Sequence, residues 1–196
     1  YIVYTSSMED TSYLADLKLP YFKADLTNRS EVRELIIKTN PDVVLNTAAY
    51  TNVDGCEDER ETCWAVNVLA VENILEAPYL EKPIIIQIST DYVFDGEVGN
   101  YREIDKPNPR GNYARSKMAA ENIISSSDFE YMILRTQVLF GSGKNIRQNF
   151  VTWLVQNLKE NKPVKIVNDQ VGSPTYAADV AEAAKRLLEK KSYGLY

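Results

Sequence analysis

Short β-rich apolar runs alternate along the chain with longer segments whose apolar residues recur every three to four positions. The runs Tyr1–Thr5, Tyr21–Ala24, Asp42–Asn46, Pro83–Ser89, Tyr131–Thr136 and Val164–Val167 predict strands. The segments Ser30–Thr39, Glu57–Leu75, Tyr113–Ser125, Ile146–Leu158 and Ala177–Lys190 predict helices. In the first helix Val32, Leu35 and Ile36 make an i, i+3, i+4 face, with Asn28 and Glu31 as N-terminal signals. Three isoleucines in a row, Ile84, Ile85 and Ile86, suit a strand buried on both faces, as central parallel strands are. Strands alternating with helices predict an α/β fold, a doubly wound parallel sheet with helices on both faces.

Two connections depart from this tight alternation. Residues 90–112 form a long loop rich in turn residues between a strand and a helix, and long loops inside compact domains are usually functional or disordered. The second is Gln137–Asn145, whose Gly141-Ser142-Gly143-Lys144 resembles part of a phosphate loop without satisfying its full spacing, so that reading is set aside.

Composition narrows the chemistry. The 196 residues are 44% hydrophobic and 26% charged, enough for one domain with a sizeable core and too ordinary for disorder. No apolar run approaches the ~20 residues of a membrane helix, and no leader-like segment opens the sequence. A net charge of −6 without a Lys/Arg-dense stretch argues against a nucleic-acid or anionic-membrane surface. With no histidine and two cysteines, a structural zinc site and Ser-His-Asp or Cys-His catalysis are excluded, and no metal is expected. Cys56 and Cys63 lie seven apart in one helical stretch, where both are expected to pack rather than bridge; a reducing, cytoplasmic setting follows by default.

In open α/β sheets ligands bind beyond the carboxyl ends of the strands. Ser89, Thr90 and Asp91 stand where the isoleucine-rich strand should end, and Tyr113-Ala-Arg-Ser-Lys117 opens the helix after the long loop. The i, i+4 spacing puts Tyr113 and Lys117 on one helical face. A free tyrosine titrates near 10, and a nearby ammonium lowers that value by favouring the phenolate. Such a pair can act as acid or base beside a carbonyl, with Thr90 as a second hydrogen-bond partner. Alone the spacing is weak, since a chain with 13 tyrosines produces it by chance about once.

Longer stretches carry a family resemblance: Asn46-Thr-Ala-Ala-Tyr-Thr-Asn-Val-Asp54, Ile88-Ser-Thr-Asp-Tyr-Val-Phe-Asp-Gly96, Tyr113-x-x-Ser-Lys117, Asn149-Phe-Val151 and Asp169-Gln-Val-Gly-Ser-Pro-Thr175. The chain resembles the extended short-chain dehydrogenases/reductases, and within them the dTDP-4-dehydrorhamnose reductase group, nearly end to end. The resemblance implies a Rossmann-like, NAD(P)-binding fold and reduction of the 4-keto group of a nucleotide-linked deoxysugar. It implies Thr90, Tyr113 and Lys117 as the catalytic triad, with Thr90 and Asp91 as substrate contacts. Asp25, Leu26, Ala48, Ala49, Tyr50 and Thr51, together with Tyr113 and Lys117, would contact the cofactor. Small residues such as Ala48 and Ala49 serve close packing equally well, so both uses stay open.

The family opens with a strand and a Gly-x-x-Gly-x-x-Gly turn, whereas the first of eight glycines here is Gly55, so the chain is expected to be the middle of a longer one. Residues 1–140 and 171–192 would then be the cofactor-binding domain without its first strand and glycine-rich turn. Residues 141–170 and 193–196 would be part of a substrate-binding lobe, with Tyr193–Tyr196 starting a strand. Thr5, Ser6 and Ser7 replace the acid that grips an NAD ribose, which favours NADPH slightly over NADH.

Smaller departures touch the substrate. Ala114 and Ala120 replace usual glycines, and Gln137 stands where rhamnose reductases often carry a substrate-contacting Trp. The expected partner is a nucleotide sugar, with room for a homodimer and none for nucleic acid or membrane. Two other functions fit related sequences. One is a non-catalytic NADP-binding subunit like the regulatory β subunit of methionine adenosyltransferase. The other is a nucleotide-sugar epimerase or dehydratase, which Tyr92 argues against by standing where dehydratases carry Glu.

Overall fold

The computed structural model describes every residue except 13, 142 and 144–147. Among the described residues six strands form two parallel sheets: β1 (Thr5–Ser7) pairs β2 (Tyr21–Lys23), while β3 (Val43–Asn46), β4 (Ile84–Thr90), β5 (Tyr131–Thr136) and β6 (Gly194–Leu195) lie side by side in that order. The strands alternate with α1 (Arg29–Thr39), α2 (Gly55–Asp58), α3 (Arg60–Trp64), α4 (Ala70–Leu75), α5 (Gly111–Ser125), α6 (Phe150–Lys159) and α7 (Ala177–Glu189). The expected parallel α/β architecture is present, with helices on both faces.

Strand periodicity explains the two layers of core. Ile85 and Ile133 face α1, α4 and α5, where Val32, Ile36, Val71, Ile74, Ala120 and Ile124 close one apolar cluster. Their neighbours Ile86, Met132 and Leu134 face the other way, onto Val180, Ala184, Leu187 and Leu188 of α7. The isoleucine run is thus buried from both sides, Ile85 at 1% exposure and Ile86 at 3%. The second face is covered only in part, because Leu45 on β3 remains 53% exposed.

Local chemistry sets the helix ends. Asn28 Oδ1 accepts from the Ser30 and Glu31 amides at 3.0 and 3.5 Å, and Asn40 closes α1 in the left-handed region at φ 37°. The N-terminus of α5 is capped from elsewhere: Glu57 of α2 accepts from Asn112 N and Nδ2, both at 2.6 Å. Gly111 sits between them at φ +73°, where a Cβ would lie 2.9 Å from Glu57 Oε1.

Several expectations shift. The first strand is Thr5–Ser7 rather than Tyr1–Thr5, leaving Ile2 and Val3 exposed. Val164–Val167 forms no strand, since β-branched residues make one only where another strand receives them. Helix α6 begins at Phe150; positions 146 and 147 of the longer predicted helix, and 142, 144 and 145 of the preceding loop, lie outside the described residues. Residues 193–196, expected in a substrate lobe, extend the main sheet instead: β6 pairs β5, and the Tyr196 amide donates to the Ile133 carbonyl.

The predicted helix Glu57–Leu75 is not uniform. It breaks at Glu59 (φ −104°, ψ 51°), and Ala65–Leu69 between α3 and α4 form a π turn. The break corrects the cysteine expectation. Seven residues of unbroken helix would hold the two Cα atoms about 10 Å apart. They are instead 5.3 Å apart, and Cys56 and Cys63 form a disulfide that is fully buried.

Candidate active site

Three consecutive residues at the carboxyl end of β4 each meet one residue of α5. The Thr90 side chain faces the Tyr113 hydroxyl. Lys117 Nζ donates to the Ile88 carbonyl at 2.8 Å, and Ser89 Oγ donates to Glu121 Oε1 at 2.5 Å. The three helical residues are spaced by four, so they stack along one face of α5. The structure therefore brings Thr90, Tyr113 and Lys117 together, as the sequence leads one to expect. Thr90, Lys117 and Glu121 are buried, at 6%, 4% and 3% exposure.

Burial dominates the electrostatics here. It pushes the Tyr113 phenol above its ordinary value of 10.0; the Thr90 side chain opposes this, and Tyr92 and Asp91 add to it. The tyrosine is therefore held protonated, not lowered as a neighbouring ammonium would do. The Lys117 ammonium is spent on the Ile88 carbonyl and is pulled down from 10.5 to about 8, first by burial, with Glu121 opposing. Tyr92 packs edge-on against Tyr113, ring centroids 5.8 Å apart.

Glu121 is itself held from the neighbouring strand. Arg135, which pairs with Ser89 in the sheet register, reaches it through Nη2 at 2.6 Å and through Nε at 3.1 and 3.2 Å. The Arg135 guanidinium lies 5.0 Å from the centroid of the Phe94 ring, and Phe94 stacks on Tyr101 at 4.5 Å. Tyr101 donates to Asp95, whose carboxyl falls to about 2 because Tyr101, then Asn108 and the Glu97 amide, bond to it. The long loop 90–112 is thus ordered and tied to the site.

Asp91, the expected substrate contact, accepts from Gln137 Nε2 at 2.7 Å. Gln137 also accepts from the Ser173 amide, and its backbone exchanges hydrogen bonds with Thr175. One side chain thereby joins the end of β4 to the Asp169–Thr175 motif.

The residues expected on the cofactor's adenosine and ribose side lie beyond the carboxyl ends of β2 and β3, on either side of the break between the two sheets. Asp25 Oδ1 accepts from the amide and hydroxyl of Thr27 at 2.8 Å, and the Leu26 carbonyl accepts from Asn73 Nδ2 at 2.9 Å. Ala48 and Thr51 are exposed, Ala49 and Tyr50 half-buried. The Tyr50 amide donates to Asn67 Oδ1 at 2.8 Å, and Asn67 Nδ2 reaches Ser116 Oγ at 2.9 Å, which links this loop to α5. The sequence reading missed Glu121, Arg135, Asn67 and Glu57. Only Glu121 left a signal there, since it continues the Tyr113, Lys117 spacing by four more residues.

Comparison with known proteins identifies the family. The RmlD substrate binding domain family matches residues 4–196. The chain belongs to this family. Two curated relatives resemble this RmlD-family chain, both named dTDP-4-dehydrorhamnose reductase. That of Aggregatibacter actinomycetemcomitans is 36% identical over 187 residues, covering 92% of this chain and 63% of the relative. That of Mycobacterium tuberculosis is 36% identical over 170 residues, covering 84% and 55%. A crystal structure of dTDP-4-dehydrorhamnose reductase from Bacillus anthracis in complex with NADP superposes with a TM-score of 0.83 at 30% identity, covering 98% of this chain and 72% of that one. This RmlD-family chain thus spans 55–63% of the length of those curated relatives.

Proposed function

We propose that the protein containing this chain reduces the 4-keto group of a nucleotide-linked deoxysugar, using NADPH in preference to NADH. The observation that carries the reading is the set Thr90, Tyr113 and Lys117, gathered by β4 and α5 where an α/β sheet binds its ligands. When bound, the cofactor supplies a hydride. Tyr113, held protonated by its buried setting, gives a proton to the oxygen that gains charge. Thr90 orients that oxygen from the other side, and Asp91, steadied by Gln137, contacts the sugar. Lys117, held on the Ile88 carbonyl one turn along α5 from Tyr113, lines the same side of the site.

The donor set suits a dinucleotide. Ala48 is exposed and presents only a methyl group, so a ligand can approach the backbone after β3. Thr5, Ser6 and Ser7 form β1 without a carboxylate to repel a 2′-phosphate. β1 and β3 belong to separate sheets, and residues 1–140 with 171–192 read as a cofactor-binding domain. Residues 141–170 belong, on this reading, to a substrate lobe.

No helix of the described residues is long and apolar enough to cross a membrane. We place the protein in the cytoplasm with its nucleotide-sugar substrate; the Cys56–Cys63 disulfide is the observation that weighs the other way. A homodimer belongs to the same reading, and light scattering on the full-length protein decides it.

The function is tested by following NADPH consumption by the full-length protein with a panel of nucleotide-linked 4-keto sugars. Turnover with a 4-keto-6-deoxy member is expected. Binding of NADPH without consumption in any case would instead support a non-catalytic subunit.

A further inference from the structure

Glu121 makes three kinds of contact and is used by none of the steps above. It takes the Ser89 hydroxyl at 2.5 Å, the Arg135 guanidinium at 2.6 Å, and faces Lys117 one helical turn away on the same side of α5. The two ion-pair side chains are nearly inaccessible, Arg135 at 8% and Glu121 at 4%. A buried pair of this kind is weak evidence for stability, because desolvation offsets most of the attraction. The charge sum is informative. Arg135 and Glu121 cancel, yet they stand at different distances along the row from Lys117, with the carboxylate on the lysine's own helix and the guanidinium beyond it on β5. Among the described residues, Arg135 Nη1 is buried without a hydrogen-bond partner, so the guanidinium is held on Glu121 through Nη2 and Nε alone.

We propose that Glu121 is the positioning residue of Lys117, a carboxylate fixed by Ser89 and Arg135 so that the buried ammonium keeps a counter-charge without being captured by it. Were Glu121 free of Arg135, it would draw the ammonium along α5 and off the Ile88 carbonyl. Were it absent, Lys117 would be a lone cation in a dry site and would shed its proton. The groups facing this row are Tyr113 and Glu121 on α5, Ser89 on β4 and Arg135 on β5, with Asp91 and Tyr92 facing Tyr113 from the loop. The role rests on the proposed function only in making Lys117 a site residue.

The test reads the lysine directly. In the full-length protein, NMR of ¹³Cε-labelled lysine, assigned with Lys117→Arg, gives the Lys117 titration midpoint. Glu121→Gln is expected to lower that midpoint by about one unit or more, and Arg135→Gln to raise it. Opposed shifts are a signature that mere loosening of the fold does not produce; shifts of one sign in both variants, or none, overturn the proposal. Should Glu121→Gln not fold, Glu121→Asp keeps the charge but withdraws it by one methylene, and a midpoint unmoved from wild type overturns the proposal equally. A protein that turns over no keto sugar yet shows the opposed shifts would sink the reductase reading and leave this one standing.

Discussion

Gln137 Nε2 donates to Asp91 Oδ2 at 2.7 Å, although the two residues lie 46 positions apart. The same amide takes the Ser173 N–H, so a single side chain fixes both the carboxylate and the strap that ends at Thr175. Gln137→Leu frees both at once. The KM for the nucleotide sugar is expected to rise about tenfold with a smaller change in kcat, because ground-state positioning is what is lost. Equal KM values in steady-state assays of the two proteins would remove Gln137 from the sugar site.

Tyr113→Phe deletes the hydroxyl proposed as the acid while keeping the ring against Tyr92. Turnover should fall by roughly 10²–10⁴, with NADPH affinity from fluorescence titration essentially unchanged. Near-normal turnover would move the acid elsewhere.

Lys117 gives stability a pH dependence of defined sign. Its native value of about 8 lies below the ordinary 10.5, so between the two the unfolded chain holds a proton that the native state has shed. Stability from this group therefore rises with pH across that window. Tyr113 acts oppositely, but only above its ordinary 10.0, because its native value is raised. Urea unfolding from about pH 8 to about pH 10 should show wild type gaining on Lys117→Met as the pH climbs. Parallel curves would contradict the buried, depressed ammonium. If turnover needs the ammonium, kcat declines over the same window.

The Cys56–Cys63 bond closes a short loop against α5, where Cys63 Sγ lies 3.6 Å from Ser116 Oγ. A loop of this length is worth about 2–3 kcal/mol in the chain-entropy picture. For a domain of this size, melting in the presence of a reductant should come about 5–10 °C earlier. Two alkylatable thiols in the native protein, with no change on reduction, would show that the bond is absent in solution.

What the sequence disclosed divides along physical lines. Tyr131–Thr136 and the helix carrying Tyr113 and Lys117 were legible because their patterns are local and their burial one- or two-sided in a regular way. Thr90, Tyr113 and Lys117 could be singled out as candidates because a family resemblance added to the strand end and the i, i+4 spacing. Val164–Val167 misled because propensity for strand is a preference for neighbours, and none receives it. The cysteine pairing hinged on the backbone at Glu59, a polar residue with no sequence mark of a break. Glu121–Arg135 and Asp91–Gln137 were invisible because each joins groups whose meeting is decided by sheet register and by a loop's return.

The π turn at Ala65–Leu69 makes this segment sensitive to length as well as to identity. In a uniform helix, positions eight apart drift by about 80° around the axis. Cys63 and Val71 are eight apart and both buried, with Asn67 midway between them serving Tyr50 and Ser116. The widened turn absorbs the drift, as one added residue would. Excising one residue would rewind the helix. Either Asn67 would swing off the Tyr50 loop or Val71 would leave the core, so the count of residues in this stretch is constrained as firmly as its buried side chains.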